Sequence, residues 1–239
     1  MATKNIEDDM ILSLVRKARK DFPRMRAKKM LVYLTPTFQA MNIHIGRDAF
    51  IELLYHNYML VRRVRNKRKT TFSNHWLRKY PNLIRDYVPD APNRLWVSDI
   101  TYIEINGRFA YLALVTDAYS HKIVGWELAP SLRACNAIAA LKMALNELPK
   151  EHVRLIHHSD RGCQYCSSSY VNLLMQHNIQ ISMTESGDPL ENAIAERING
   201  ILKNEWIYDC KLKSWKETIL FIDRIINLYN NQRPCLLYT

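Results

Sequence analysis

Two different periods of apolar residues divide the chain. Up to residue 59 they recur at intervals of three and four, the spacing of amphipathic helices. The first such stretch, 6–21, carries Ile6, Met10, Leu12, Leu14 and Val15 and ends in basic residues, which suit a helix C-terminus. Further helices are expected over 24–34 and 46–59, separated by Pro36 and Gly46. From residue 95 the pattern becomes β-branched and aromatic. Leu95–Ile105 and Arg108–Ala118 flank Asn106-Gly107, a strong two-residue hairpin signal, and Lys122–Leu128 makes a third antiparallel strand. An Ala-rich helix over 132–147, a strand over 153–158, a helix over 167–177, a short strand over 179–183 and helices over 190–206 and 214–230 complete the order. Hairpins followed by strand–helix alternation predict an α/β core with a mixed five-stranded sheet. A small all-α domain precedes it. The prolines at 81, 89 and 92 mark a connector. The expected division is therefore a helical domain at 1–70, an extended linker at 71–94 and the core at 95–239.

Charge sharpens this division. Residues 1–90 hold 19 Lys and Arg against 8 Asp and Glu, whereas residues 91–239 hold 15 of each. An excess confined to the helical part points to a polyanionic partner, DNA or RNA ahead of an anionic membrane. Three short helices suit a helix-turn-helix type module. Arg47 would then enter a groove, and Arg62, Arg63, Arg65, Lys67, Arg68 and Lys69 would track the adjacent backbone. The N-terminus has no apolar leader segment, and no run of about 18 apolar residues exists to span a membrane. Five scattered cysteines read as reduced thiols in a cytosol, so a cytoplasmic protein is expected. Cys163-x-x-Cys166 near His157 and His158 is the one zinc-like grouping, but with a single cysteine pair it is disfavoured.

The candidate chemistry lies in three acids. Asp99 sits within Trp96-Val97-Ser98-Asp99-Ile100-Thr101-Tyr102, Asp160 ends the run through His157-His158-Ser159 and precedes Arg161-Gly162, and Glu196 lies in a helical pattern. A carboxylate in a core-type strand is costly unless paired or bound to a cation. Three that converge repel one another, which makes hard divalent cations with oxygen ligands their natural partner. At about 100° per residue, Lys203 lies roughly 20° from Glu196 on a helical wheel and Asn192 about 40° to the other side. All three therefore share one helix face, with Gly200 between the turns.

These motifs, together with His158-Ser159-Asp160-Arg161-Gly162-Cys163-Gln164-Tyr165 and Glu191-Asn192-Ala193-Ile194-Ala195-Glu196-Arg197, resemble the DDE transposase and retroviral integrase superfamily. The closest likeness is to bacterial insertion-sequence transposases encoded in two overlapping reading frames. Thirty-five residues separate Asp160 from Glu196, the interval that family shows. The resemblance implies an RNase H-like core with Asp99 on its central first strand, Asp160 at the end of the fourth and Glu196 on a covering helix. It implies that the three acids hold two Mg²⁺, with Mn²⁺ as a substitute, and catalyse DNA strand cleavage and strand transfer without ATP. Lys203 and, more weakly, Asn192 become DNA contacts near the cut. Beside Asp160, His158 would orient that carboxylate or sit as a core histidine at the strand end, and Ser159 and Gln164 would support the acids or contact DNA. The implied partners are element ends and target DNA, further copies of the chain assembled on DNA, and an upstream-frame protein.

Two features depart from the family. Glu191 replaces an Asp, and the chain ends in Cys235-Leu236-Leu237-Tyr238-Thr239, where relatives continue with His and a longer tail. The core thus looks truncated. A DNA-binding remnant that regulates the intact transposase, and an RNase H-like nuclease acting on hybrids or junctions, remain as alternatives.

Overall fold

The computed structural model describes residues 2–62, 75–149, 154–185 and 192–235. They form two compact units, one of residues 1–67, 202–210 and 227–239, the other of residues 68–201 and 211–226.

The second unit is built on one sheet. Strands β1 (Leu95–Ile105), β2 (Arg108–Asp117), β3 (Ile123–Ala129), β4 (Ile156–Ser159) and β5 (Gln180–Met183) lie in the order β3-β2-β1-β4-β5. The first three form an antiparallel meander, and β4 and β5 add in parallel beside β1. The sheet is mixed and five-stranded, as the pattern predicts, with the long β1 at its centre. Because side chains alternate across a strand, β1 feeds two cores. Trp96 packs with Ala113, Val115, Tyr170 and Leu174 beneath helices α4 (Ala134–Asn146), α5 (Cys163–Cys166) and α6 (Ser168–Gln176). Leu95 and Val97 face the other way, against Ile156 and Ala195 of helix α7 (Ala193–Leu202). Residues 75–94 contain no helix or strand. They lie along the sheet edge, where Pro81 accepts a hydrogen bond from the Met183 amide at 3.2 Å and Leu83 donates to Ser182 Oγ at 2.9 Å. Asp117, a fully buried acid, accepts from Asn93 N, Ser120 N and Ser120 Oγ and so closes the β2–β3 turn.

The first unit contains α1 (Ala2–Ala18), α2 (Ala27–Ala40) and α3 (Arg47–His56). Its core comprises Ile11, Leu12, Val15, Phe22, Met30, Leu34, Phe38, Phe50 and Leu54. Ile6, expected inside, is 60% exposed. The apolar stripe runs instead through residues 11, 12, 15 and 18. Helix α2 does not stop before Pro36 but continues to Ala40. Burial of Leu34 and Phe38 on either side of the proline holds the helical course that Pro locally disfavours. The unit also includes the π-helical turn Lys203–Ile207 that extends α7, and the end of α8 (Trp215–Asn231). Trp206 packs on Phe22 and donates to the Asp21 carbonyl at 2.7 Å. Glu205 takes a bidentate pair from Arg233, both contacts at 2.8 Å, and a third contact from Lys29 at 3.2 Å. The helical unit is thus completed by C-terminal chain, which local periodicity could not announce.

In the second unit α4 crosses β3 at Gly125, where a Cβ would collide with the Ala140 carbonyl and lie 2.9 Å from the Ala144 amide. Both obstacles are backbone. Gly125→Ala should therefore destabilise the core by about 2 kcal/mol or more through overpacking, read as a lowered Tm in calorimetry; an unchanged Tm would show that α4 can slide.

Candidate active site

Strand pairing places the first two acids. β1 and β4 pair with Val97 opposite His158 and Ser98 opposite Ser159. The next step in that register sets Asp99 beside Asp160, on parallel strands about 5 Å apart. Both share the sheet face of Leu95, Val97 and Ile156, the face α7 covers. Asp99 is only partly open to solvent, and its carboxyl is pushed up to about 7, first by burial and then by the neighbouring Asp160. Asp160 is raised as well, chiefly by burial, with the Gly162 amide and the charge of His75 acting against the shift. Two neighbouring acids, both pushed up chiefly by burial, favour added positive charge nearby.

Each carboxylate is held by named donors. Asp99 Oδ1 accepts from the Ile100 amide at 2.8 Å and Oδ2 from Asn199 Nδ2 at 2.7 Å. Asp160 Oδ1 accepts from the Gly162 amide at 2.9 Å. Asn199 escaped the sequence reading, although it lies seven residues after Asn192 and thus within about 20° of it on the wheel. That shared helix face is its one mark in the sequence; its burial and its bond to Asp99 are tertiary. Its Oδ1 is buried with no hydrogen-bond partner among the described residues, and the same holds for Asn192 Oδ1. Two orphaned buried oxygens beside two strained carboxylates make an oxygen-rich, electronegative donor set, and that set fits a hard divalent cation.

Other expected residues fall differently. Glu196 lies on α7 but is exposed, and its charge makes the smallest contribution to the Asp99 shift. Among the described residues no three His, Cys, Asp or Glu side chains are close enough together to hold a metal ion. The structure therefore pairs two acids and leaves the third nearby. Asn192, expected as a DNA contact, is buried and donates to the Ser98 carbonyl at 3.2 Å. It clamps the start of α7 onto β1. His158, expected to orient Asp160, is fully buried and pairs across the ladder with Ser182 Oγ at 2.8 Å. Its neighbour His157 points to the opposite face, within reach of Ser98 Oγ and Tyr170 Oη, and burial lowers its pKa to about 3. Ser159 is buried, its hydroxyl donating to the Asp160 carbonyl at 3.0 Å, and Gln164 Oε1 lies within 2.8 Å of where a Cβ on Gly162 would stand. Ser159 thus bonds to the Asp160 backbone, and Gln164 lies beside Gly162. Cys166 points inward onto Met183. Lys203 opens the π turn and belongs to the first unit. There Arg47 is engaged with Asp48 and Arg62 is exposed, its carbonyl accepting from Arg24. Arg63, Arg65, Lys67, Arg68 and Lys69 lie outside the described residues.

Comparison with known proteins agrees with this geometry. Across 94% of the chain and 71% of its counterpart, the fold matches a simian T-cell lymphotropic virus intasome structure with a TM-score of 0.54 at 15% identity. Models of the integrase core domain match residues 89–189 and 177–235. The chain is 36% identical over 193 residues to the insertion element IS600 uncharacterized 31 kDa protein of Shigella sonnei, covering 80% of this chain and 71% of that one. It is 37% identical over 172 residues to a putative transposase for insertion sequence element IS986/IS6110 of Mycobacterium tuberculosis, and 37% identical over 139 residues to transposase InsF for IS3A of Escherichia coli. The architecture is thus that of an integrase core, and the chain belongs to the family of insertion-sequence transposases. It spans 62% of the length of the mycobacterial relative and 48% of the Escherichia coli one.

Burial of Asp99 predicts a pH signature. Its folded pKa of about 7 exceeds the ordinary 3.8, so the folded chain holds a proton the unfolded chain has released. The stability it contributes is present at low pH and is lost as pH rises through 7. In chelator-containing buffer, Asp99→Asn should become increasingly more stable than the parent between pH 5 and pH 8, by roughly 1–3 kcal/mol at the upper end. Parallel stability–pH curves for the two proteins would contradict the assigned burial.

Proposed function

We propose that the chain is the catalytic protein of DNA transposition, cleaving an element end and joining it to target DNA. The observation that carries this reading is the placing of Asp99 and Asp160 one step past the paired Ser98 and Ser159 in an integrase core. In this reading Asp99, Asp160 and Glu196 hold two divalent cations, Mg²⁺ or Mn²⁺. Such cations supply positive charge to the phosphodiester and acidity to the attacking hydroxyl.

The chain's own residues prepare that chemistry. Asn199 and the Ile100 amide fix both oxygens of Asp99, and Gly162 fixes one of Asp160. Asn192 ties α7 to β1, so that Glu196 is carried on an element anchored beside the two aspartates. Lys203, Arg47 and the basic run at 61–69 hold the DNA backbone by charge, and this part of the affinity is sequence-independent. In cleavage a water oxygen bonds to phosphorus as the P–O3′ bond breaks, and the departing 3′-oxygen takes up a proton. In joining, that 3′-hydroxyl attacks a target phosphodiester, and one such bond replaces another. Helices 1–70 act as a DNA-binding module of helix-turn-helix type, linked through 71–94 to the catalytic core. Copies of the chain assemble on paired ends, and an upstream-frame protein contributes end recognition. Among the described residues no helix is long and apolar enough to cross a membrane.

On supercoiled DNA with Mn²⁺, the parent should nick and join strands, while Asp160→Asn should lose at least about a hundredfold in rate, the several kcal/mol that cation contact supplies. DNA binding by the variant should persist, with a log–log salt slope of roughly −5 for about six phosphate contacts. Undiminished cleavage by Asp160→Asn would overturn the assignment.

A further inference from the structure

Trp76 is the most exposed tryptophan of the second unit, with 91% of its surface open. A lone exposed ring is ordinary on a protein surface, but the surroundings of this one point to a partner. The ring is not on a free tail. On one side His75 Nε2 is bonded to the Arg161 carbonyl at 2.7 Å, in the residue directly after Asp160. On the other side Leu77 and Tyr80 pack into the core under the sheet. The chain is thus pinned before and after Trp76, which holds the indole outward close to the acidic pair.

The same corner is cationic. Arg78 and Lys79 are exposed, and Arg78 stacks over the Tyr80 ring at 5.1 Å. Lys79 and Arg161 both act against the burial that pushes the Cys166 thiol up to about 11, so the two cations share this neighbourhood. His75 Nδ1 is buried and has no hydrogen-bond partner among the described residues. An outward aromatic face with flanking cations matches a nucleotide: a base for the ring and phosphates for the cations.

We propose that Trp76 is a stacking platform for an unpaired DNA base next to the phosphodiester that the acidic site cuts. The inference rests on the transposase reading and deepens it. Trp76 recognises single-stranded character at the end and acts independently of base identity, because every base offers a π face. It is a binding residue, distinct from the acids.

The test uses the full chain and two synthetic probes of the same sequence, a blunt duplex and a duplex with a 3′ single-stranded overhang containing 2-aminopurine. Trp76→Ala should weaken overhang binding about tenfold and leave blunt binding unchanged, whereas Trp76→Phe should keep most of the affinity. The quenching of 2-aminopurine seen with the parent should vanish in Trp76→Ala. Equal loss on both probes, or no loss on either, overturns the proposal. So does a Trp76→Ala variant that keeps its overhang affinity but sediments as a smaller species, because the indole would then cover a second copy of the chain. If the parent binds neither probe, the transposase reading fails with it. If the parent cuts DNA, Asp160→Asn does not, and Trp76→Ala matches the parent on both probes, the stacking role alone fails.

Discussion

The candidate active site depends on one pairing: β4 laid in parallel against β1, with Ser98 opposite Ser159. That register sets two aspartates side by side on the face that α7 covers. A slip of one residue would turn Asp160 to the opposite face, among the aromatic rings of Tyr165 and Tyr170. The sheet guards against this slip with apolar residues on both surfaces of β1, because any shift would expose Trp96 or Val97 to the wrong core. Packing thus enforces an arrangement that electrostatics opposes. Burial raises the pKa of both acids, and the neighbouring Asp160 adds to the rise at Asp99. The helix above answers it with amides. Asn199 stabilises Asp99 without adding a second negative charge, and Asn192 stitches the same helix to the Ser98 carbonyl.

The helical unit follows a different logic. Its three N-terminal helices bury a modest core, and the chain from 202 to 210 and from 227 onward adds Trp206, Glu205 and Arg233 to it. Arg233 and Glu205 are both nearly inaccessible, at 5% and 13% side-chain exposure, so neither tolerates loss of its partner. Burial pushes Glu205 up to about 7, with the charge of Arg26 acting against the shift. The bidentate guanidinium geometry keeps the pair satisfied.

Much of this was legible in the sequence, for identifiable reasons. The span of β1 and its hairpin with β2 follow directly from a β-branched run and an Asn-Gly turn, and both match the structure at Leu95, Ile105 and Arg108. The integrase likeness was legible because three motifs occur in order at fixed spacing. What sequence hid was tertiary. Helix α2 crosses Pro36 because burial outweighs local propensity, and Ile6 is exposed because the stripe of α1 is set by its neighbours. His158 was expected to orient Asp160 because it lies two residues before it, and Asn192 to contact DNA because it shares a helix face with Glu196, yet each spends its hydrogen bond on joining strands or helix to sheet. Asn199 was overlooked for the opposite reason: it is a polar residue in a helix, and only the fold brings it to Asp99.

The central claim is that Asp99 and Asp160 form one cation site. Calorimetric titration of the chelator-stripped protein with Mn²⁺, in the absence of DNA, tests it most directly. The account predicts saturable binding in the parent that falls by at least about tenfold in Asp99→Asn and again in Asp160→Asn, with both variants folded. Identical Mn²⁺ affinity in the parent and in both variants would contradict it.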